Sequence, residues 1–195
     1  MKKSDLLEND VDVTDSNFES QCLDEVIFYN KFFGTINFEN CSFLNAKFEN
    51  IIFNHVIFKK CDLSNVEFNN CGLHSCMFID CKLVGANFLD TLLKNVEFNS
   101  VVARYIGISY CKLNHVSVKE SDMLEARFTD LQLNKFNLEN VNLKNSEFNL
   151  VSLNGVDIST CNIENILVDP KYLRGAYVDY NQVVYLVSLL GIKIK

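Results

Sequence analysis

Eight cysteines and three histidines are the side chains of this sequence that could bind a metal ion or act as nucleophiles. Cys71, Cys76 and Cys81 follow one another at intervals of five residues, and thiolates in such a run can ligate zinc or a softer metal ion. The three imidazoles could bind zinc or transfer protons near neutral pH. They belong to His55, His74 and His115. This chemistry depends on where the fold places these residues.

The elements that position these residues repeat with a period of five. Apolar residues, nearly all of them large, recur at every fifth position from Phe18 to Val178 without a change of register. A second series of smaller residues, mainly Val, Ala and Cys, lies two positions before each large one. All cysteines except Cys22 belong to this second series. We therefore expect them to be buried free thiols rather than metal ligands or disulfides.

The histidines share one face of the repeat but are spread over several coils, and they lack the carboxylates that usually orient metal-binding imidazoles. We interpret them as solvated side chains. The sequence has no nucleophile elbow, no phosphate-binding glycine loop and no HExxH motif, and it contains only seven glycines. The prediction is therefore a protein that is not an enzyme and has no cofactor and no metal.

A period of five matches neither an α-helix nor a plain strand, so the chain must turn a corner after every fifth residue. Asn tolerates the left-handed backbone of such corners, and it occupies many of the corner positions, for example Asn40 and Asn65. The sequence resembles the pentapeptide-repeat family over residues 16–178. The resemblance implies an all-β fold, a right-handed quadrilateral parallel β-helix in which four units form one coil and roughly eight coils stack.

Three regions are expected: an N-terminal segment over residues 1–10, the β-helix over residues 11–178, and a C-terminal helix and tail over residues 179–195. Asp179 and Gln182 fit a capping box for a helix over about 180–190, and Gly191 would end it. Because little of this helix is polar, one side should pack on the last coil and the rest against a second copy of the chain. The predicted dimerisation residues are Val183, Val184, Leu186, Val187, Leu190, Ile192 and Ile194.

Stacked coils place residues that are one coil apart in a single column, so the charge of each face can be read from the sequence. One face, from residue 31 to residue 175, carries the three histidines and basic residues but no Asp or Glu. Its basic residues are Lys31, Lys94, Lys112, Lys135, Lys171 and Arg174. The other three faces are predicted to be anionic, with Glu39, Glu49, Glu67, Asp80, Asp90, Glu97, Asp130, Glu139 and Glu147 as candidate partner-binding residues.

The segment from Gly175 to Ile194 is similar to the ending of Qnr-type quinolone-resistance proteins. That resemblance implies a homodimer, joined through its C-terminus, whose anionic rod imitates DNA and binds a type II topoisomerase, either DNA gyrase or topoisomerase IV. It also implies that the protein modulates this enzyme or protects it from quinolones. Some Qnr-type members have loops that project from the β-helix and matter for protection, and the unbroken register here leaves no room for one.

An acidic rod is expected to bind neither nucleic acid directly nor a membrane. The sequence shows no export signal and no membrane-spanning segment, so we expect a cytoplasmic protein. The alternative function is a non-catalytic interaction scaffold with a different, acidic partner, held by the basic face or by a bulge that presents tyrosines.

The segment Val101 to Tyr110 is the most irregular stretch of the repeat. Ala103 is small for its position, and Tyr105 and Tyr110 occupy corners that usually hold small polar residues. The sequence predicts a local bulge that presents two tyrosines as a contact site, with a tolerated packing defect as the alternative. Phe136 is too large for the smaller series, which predicts a second distortion.

Overall fold

A computed structural model describes residues 12–193, which wind into a four-sided parallel β-solenoid with a short C-terminal cap. The chain turns at every fifth residue, where the backbone adopts a left-handed conformation. Asn40 and Asn65 have φ values of 53° and 56°, and Gly85 occupies the same kind of corner with φ 68°. Asn is suited to these corners because it enters the left-handed region at lower cost than most residues. The predicted five-residue period is therefore confirmed.

Each strand pairs in parallel with a strand one coil before or after it, as Phe33 pairs with Phe53. The longest strands extend over two adjacent faces and turn at a corner in their middle. Together with two three-residue strands, β7 (Gly72–His74) and β8 (Met77–Ile79), they form one sheet. Its long strands are β1 (Val13–Glu19), β3 (Phe32–Glu39), β5 (Ile52–Lys59), β10 (Leu92–Asn99), β12 (Lys112–Lys119) and β14 (Gln132–Glu139).

The third face is a sheet of short strands. On the fourth face, isolated β-bridges join each coil to the next. The short strands are β2 (Ile27–Tyr29), β4 (Lys47–Glu49), β6 (Glu67–Asn69), β9 (Asn87–Leu89), β11 (Gly107–Ser109), β13 (Arg127–Thr129), β15 (Glu147–Asn149) and β16 (Leu167–Val168). The bridges run from Cys22–Ser42 to Asn142–Asn162 with the same spacing in sequence as the strand pairs. These pairings confirm that four five-residue sides form one coil and that about eight coils stack.

From Phe18 to Phe98 the core consists largely of aromatic rings stacked along the axis of the solenoid. In one column Phe58, Phe78 and Phe98 stack with ring centroids 5.0 and 4.8 Å apart. A second column contains Phe68 and Phe88, whose centroids are 4.6 Å apart. Each ring lies parallel to its column neighbours and edge-on to rings of the adjacent column, an arrangement that favours both kinds of aromatic contact. After Phe98 the core continues with aliphatic side chains such as Ile108 and Val118, and a stacked ring pair recurs at Phe128 and Phe148.

The expected bulge at Val101–Tyr110 is wrong. Ile108 pairs with both Phe88 and Phe128, and Val102 bridges the coils before and after it, all in the common register. Ala103 is fully buried beside the larger side chains of its coil. Since the register is set by hydrogen bonds of the backbone, one small side chain does not shift it.

The distortion predicted at Phe136 is confirmed. From Ile36 to Val156 the other residues of its column are Ile, Val or Cys, and the large ring is nevertheless buried there. Over residues 12–193, no backbone hydrogen bond joins residues 131–140 to residues 151–160, and β14 is the last strand of its sheet. The opposite faces remain paired, as in the contact of Phe148 with Val168. Two successive coils are therefore separated on two faces and joined on the other two.

The C-terminal cap follows the last coil. It consists of a 3-10 turn at Pro170–Leu173, a second at Tyr180–Gln182 and one α-helix, α1, at Val183–Ser188. The predicted capping box of Asp179 and Gln182 is present. The α-helix is shorter than the one expected over 180–190. A 3-10 turn takes the place of its first turn, and α1 ends at Ser188. Gln182 also donates to the carbonyls of Ile158 and Cys161, at 2.8 and 2.7 Å, which fixes the cap to the solenoid.

Candidate interaction surface

The cysteines lie inside the solenoid, as the sequence predicted, and only Cys22 is exposed. Burial raises the pKa of Cys71 to about 12 and the pKa of Cys76 to about 11. These thiols are protonated at neutral pH, and they donate to backbone carbonyls, as Cys71 does to the oxygen of Phe48 at 3.3 Å. Because the thiolate is the nucleophile and the metal ligand, these side chains serve as small core residues.

The histidines lie on the basic face. His55 and His115 occupy corners, and Nδ1 of His115 is 2.7 Å from Oδ1 of Asn114. Among residues 12–193, no three side chains of the metal-binding types are close enough together to hold an ion. None of the helices in this range is long and apolar enough to span a bilayer.

Three of the nine candidate acidic residues form ion pairs between neighbouring coils. Glu39 pairs with Lys59 and Glu67 with Lys47, each at 2.9 Å, while Glu139 lies 3.9 Å from Lys119. A nearby ammonium group lowers the pKa of Glu39 and that of Glu67. A partner's positive charge would have to compete with these lysines, so the paired residues contribute less to attraction than their number suggests.

The other six candidates have no ion pair within the described range of the chain, residues 12–193. They are Glu49, Asp80, Asp90, Glu97, Asp130 and Glu147. Asp80, Asp90 and Asp130 lie on exposed corners, where the left-handed backbone turns their side chains outward. These corners and the faces beside them therefore present accessible negative charge.

The basic face is smaller than the sequence indicated. Lys31 is only 3% exposed, because it falls in the inward-pointing smaller series, so its assignment to the outer face is wrong. Lys171 lies 2.9 Å from a carboxylate oxygen of Asp169. The remaining basic residues, Lys94, Lys112, Lys135 and Arg174, are exposed and have no ion pair within residues 12–193.

Tyr105 and Tyr110 lie on two different corners that border the same face, with φ values of 61° and 57°. Their side chains are 53% and 58% exposed. The aromatic surface expected at this place is present, although the backbone beneath it is regular. Tyr110 shares a corner column with Asp90 and Asp130, one coil from each. A role of these tyrosines in partner contact remains a prediction.

The predicted dimerisation residues form an apolar surface on the cap. Val184 and Leu190 are 56% and 61% exposed, Val183 and Ile192 are also exposed, and Leu186 is partly buried against the core with Val187 beside it. Ile194 lies outside the described residues. A neighbouring apolar depression of about 370 Å³ is lined by Pro170, Leu173, Arg174, Leu186, Val187 and Leu190.

Sequence reasoning missed one feature of the surface, a cleft of about 660 Å³ between the coils that Phe136 separates. Its lining includes Leu133, Lys135 and Phe136 from one coil and Gly155 and Val156 from the next. The signal available in the sequence was a Phe in a column of Val, Ile and Cys, which indicated a distortion but not an opening between two coils.

Two family models match the chain. The model described as "Pentapeptide repeat region" matches residues 31–106 and 51–128, and the model "Pentapeptide repeats (8 copies)" matches residues 126–165. A search of curated proteins gives no match. A solved structure of trypsin-treated QnrB1, described as a plasmid-mediated fluoroquinolone resistance protein, is 17% identical, covers 92% of this chain and 100% of its own, and superposes with a TM-score of 0.51. Full-length QnrB1 is 16% identical, with coverages of 93% and 100% and a TM-score of 0.47.

Proposed function

Because the chain belongs to the pentapeptide-repeat family, we propose that it is a non-catalytic DNA mimic. It binds a type II topoisomerase, DNA gyrase or topoisomerase IV, and modulates this enzyme or protects it from quinolones. The observation that carries the proposal is the set of six acidic residues that form no ion pair with any residue from 12 to 193, three of them on exposed corners of the solenoid. The fold it shares with QnrB1 supports the same conclusion.

The binding force in this proposal is electrostatic. A topoisomerase presents a basic surface to the phosphates of DNA, and an anionic rod can occupy that surface in their place. Coils spaced about 4.8 Å apart place Asp90 and Asp130, two coils apart in one column, at roughly 10 Å from each other. A DNA strand has one phosphate per roughly 3.4 Å, so the imitation is sparser than DNA. Binding should therefore weaken as salt concentration rises, since salt screens exposed charges.

The proposal includes a cytoplasmic homodimer joined through the cap. Val184 and Leu190 expose apolar surface beside the depression at Leu186, and burial of that surface between two copies would stabilise a two-fold contact. Two rods joined end to end would double the length of the anionic surface. Light scattering should give the mass of a dimer for the full chain and that of a monomer after Val184→Asp with Leu190→Asp.

The principal experiment is supercoiling by purified DNA gyrase with increasing amounts of the full chain, with and without ciprofloxacin. We expect the protein to inhibit supercoiling or to relieve inhibition by the drug, at low salt and less at high salt. Substituting Asn at Asp80, Asp90 and Asp130 removes charge and suits the left-handed corners, so the fold is retained while the effect on gyrase falls about tenfold or more.

The matched control removes acidic residues that are already paired. Glu39→Gln, Glu67→Gln and Glu139→Gln together remove the same number of negative charges, but they remove carboxylates that face lysines of neighbouring coils. This variant should retain most of the effect on gyrase. If the wild-type protein neither binds gyrase at low salt nor changes its response to ciprofloxacin, and the same holds for topoisomerase IV, the proposed function is wrong.

A further inference from the structure

The cleft beside Phe136 exposes the edge of a β-strand in the middle of the solenoid. In preceding coils the amide of Gln132 donates to Cys111 at 3.0 Å and the amide of Ser75 donates to Lys94 at 2.9 Å. The equivalent bonds, from Ser152 to residue 131 and from Lys135 to residue 154, are absent over residues 12–193. One edge of β14 therefore has donors and acceptors without protein partners.

The opening is bounded at two corners where the coils still touch. The amide of Asp130 donates to the carbonyl of Asn149 at 2.9 Å, and the amide of Asn140 donates to the hydroxyl of Thr160 at 3.0 Å. Between these points lies the cleft of about 660 Å³, and a second depression of about 610 Å³ on the adjoining face shares Asn137 with it. The volume of the first lies within the range of protein ligand sites, roughly 300–1,000 Å³.

The lining combines apolar walls with polar groups and a single ionised side chain. Leu133, Phe136 and Val156 provide the apolar walls, while amide side chains such as that of Asn154 lie beside them. Lys135 is exposed at the corner of the opening, and it is the only charged residue of the lining. The site is therefore amphipathic, with a positive charge at its entrance.

On the basic face the surroundings of the cleft add to that positive charge, whereas the adjoining face, beyond Asn137, carries Glu139 and Asp157. The cleft opens on the basic face, which carries Lys94 and Lys112 on the coils before Lys135 and Arg174 on a coil after it. This face has no acidic residue from residue 31 to residue 175. Its charge is complementary to a negatively charged ligand and opposite to that of the faces in the topoisomerase proposal.

We propose that this cleft binds an extended acidic peptide of a partner protein, and that the peptide backbone adds as a strand to the free edge of β14. The unpaired groups are spaced along an extended strand, so an extended backbone is the ligand that satisfies them in series. Alternate side chains of the peptide would contact Leu133 and Phe136, and acidic side chains between them would face Lys135 and Lys112. This site goes beyond the topoisomerase contact and uses another face.

The test uses the full chain and a fluorescein-labelled peptide of about six residues that alternates Val and Glu. Fluorescence anisotropy at low salt should show saturable binding. A peptide alternating Val and Lys, and a Val–Glu peptide methylated at alternate backbone nitrogens, should each bind at least about tenfold more weakly. Hydrogen exchange should show that the peptide protects the amides of Leu133 and Lys135.

Two variants assign the binding to the cleft. Phe136→Val restores the side chain found in the same column at Val116 and Val156, so the coils should pair and peptide binding should be lost. Lys135→Glu should weaken binding at least about tenfold, whereas Lys60→Glu, on a corner outside the basic face, should leave it unchanged. Circular dichroism establishes whether each variant is folded. If Phe136→Val does not fold, the binding measured with Lys135→Glu tests the assignment to the cleft.

The proposal is overturned if the Val–Glu peptide does not bind saturably, or if Phe136→Val and Lys135→Glu bind it as the wild-type protein does. Equal binding of the Val–Lys peptide would also overturn it. The effect of Phe136→Val on gyrase should be small, because the acidic corners are unchanged. A failure of this proposal is therefore distinguishable from a failure of the topoisomerase proposal.

Discussion

Replacing Phe68 by Ala tests the stacked core directly. The ring of Phe68 lies between those of Phe48 and Phe88, with centroids 5.1 and 4.6 Å away, and meets Phe53 and Phe78 edge-on at 5.8 and 6.3 Å. It is fully buried. Phe→Ala substitutions in cores cost about 3–5 kcal/mol, and the cost rises with the cavity that remains. Backbone hydrogen bonds hold the coils above and below at a spacing of about 4.8 Å, so these coils cannot move inward to fill the cavity. We therefore expect a loss of unfolding free energy in the upper half of this range.

The assay is equilibrium unfolding in urea, followed by far-ultraviolet circular dichroism. If the free energy of unfolding falls by about 2–3 kcal/mol for each molar of urea, a loss of about 4 kcal/mol in that free energy lowers the urea midpoint by roughly 1.3–2 M. Phe28→Ala is the matched control and should cost less, since within residues 12–193 the ring of Phe28 stacks only on Phe48, at 5.0 Å, and meets only Phe33 edge-on, at 5.8 Å. A midpoint for Phe68→Ala within about 0.5 M of wild type, or a larger loss for Phe28→Ala, would refute the stacking argument.

Two further predictions concern the thiols and the cap. Cys22 is the only exposed cysteine among the eight, so Ellman's reagent should titrate one thiol per native chain and eight after denaturation; rapid reaction of several native thiols would contradict their burial. Gln182→Ala leaves the carbonyls of Ile158 and Cys161 without their donor, which costs about 1–3 kcal/mol per buried group. Hydrogen exchange in α1 should therefore accelerate while β5 is unaffected, and unchanged exchange in α1 would contradict the role of Gln182.

The solenoid could be predicted from the sequence because its structure repeats at a fixed interval along the chain. Every fifth residue from Phe18 points inward, so a count of positions gives both the corners and the buried columns. The seven cysteines of the smaller series were likewise predicted to be buried, and they are. These features depend on the type of residue at a fixed spacing, which is printed in the sequence.

The remaining features depend on distances between coils, which residue types do not reveal. The sequence shows lysines among the acidic residues of the anionic faces, but not that Lys47 reaches Glu67 and leaves Glu49 without an ion pair among residues 12–193. It marked Phe136 as oversized without indicating whether the ring would displace a neighbouring side chain or separate adjacent coils. Lys31 was misplaced because its charge suggested the surface, whereas its position in the five-residue count placed it inside.

The constant offset of one coil between paired strands limits how the length of this chain can change. Deleting a full coil, such as residues 81–100, would bring together residues that already share a column, and the rod would become one layer shorter. Deleting five residues would instead move every later residue to the neighbouring wall, so that stacked rings, thiols and acidic corners would no longer coincide across the junction. Viable insertions and deletions within the solenoid should therefore come in multiples of one complete turn.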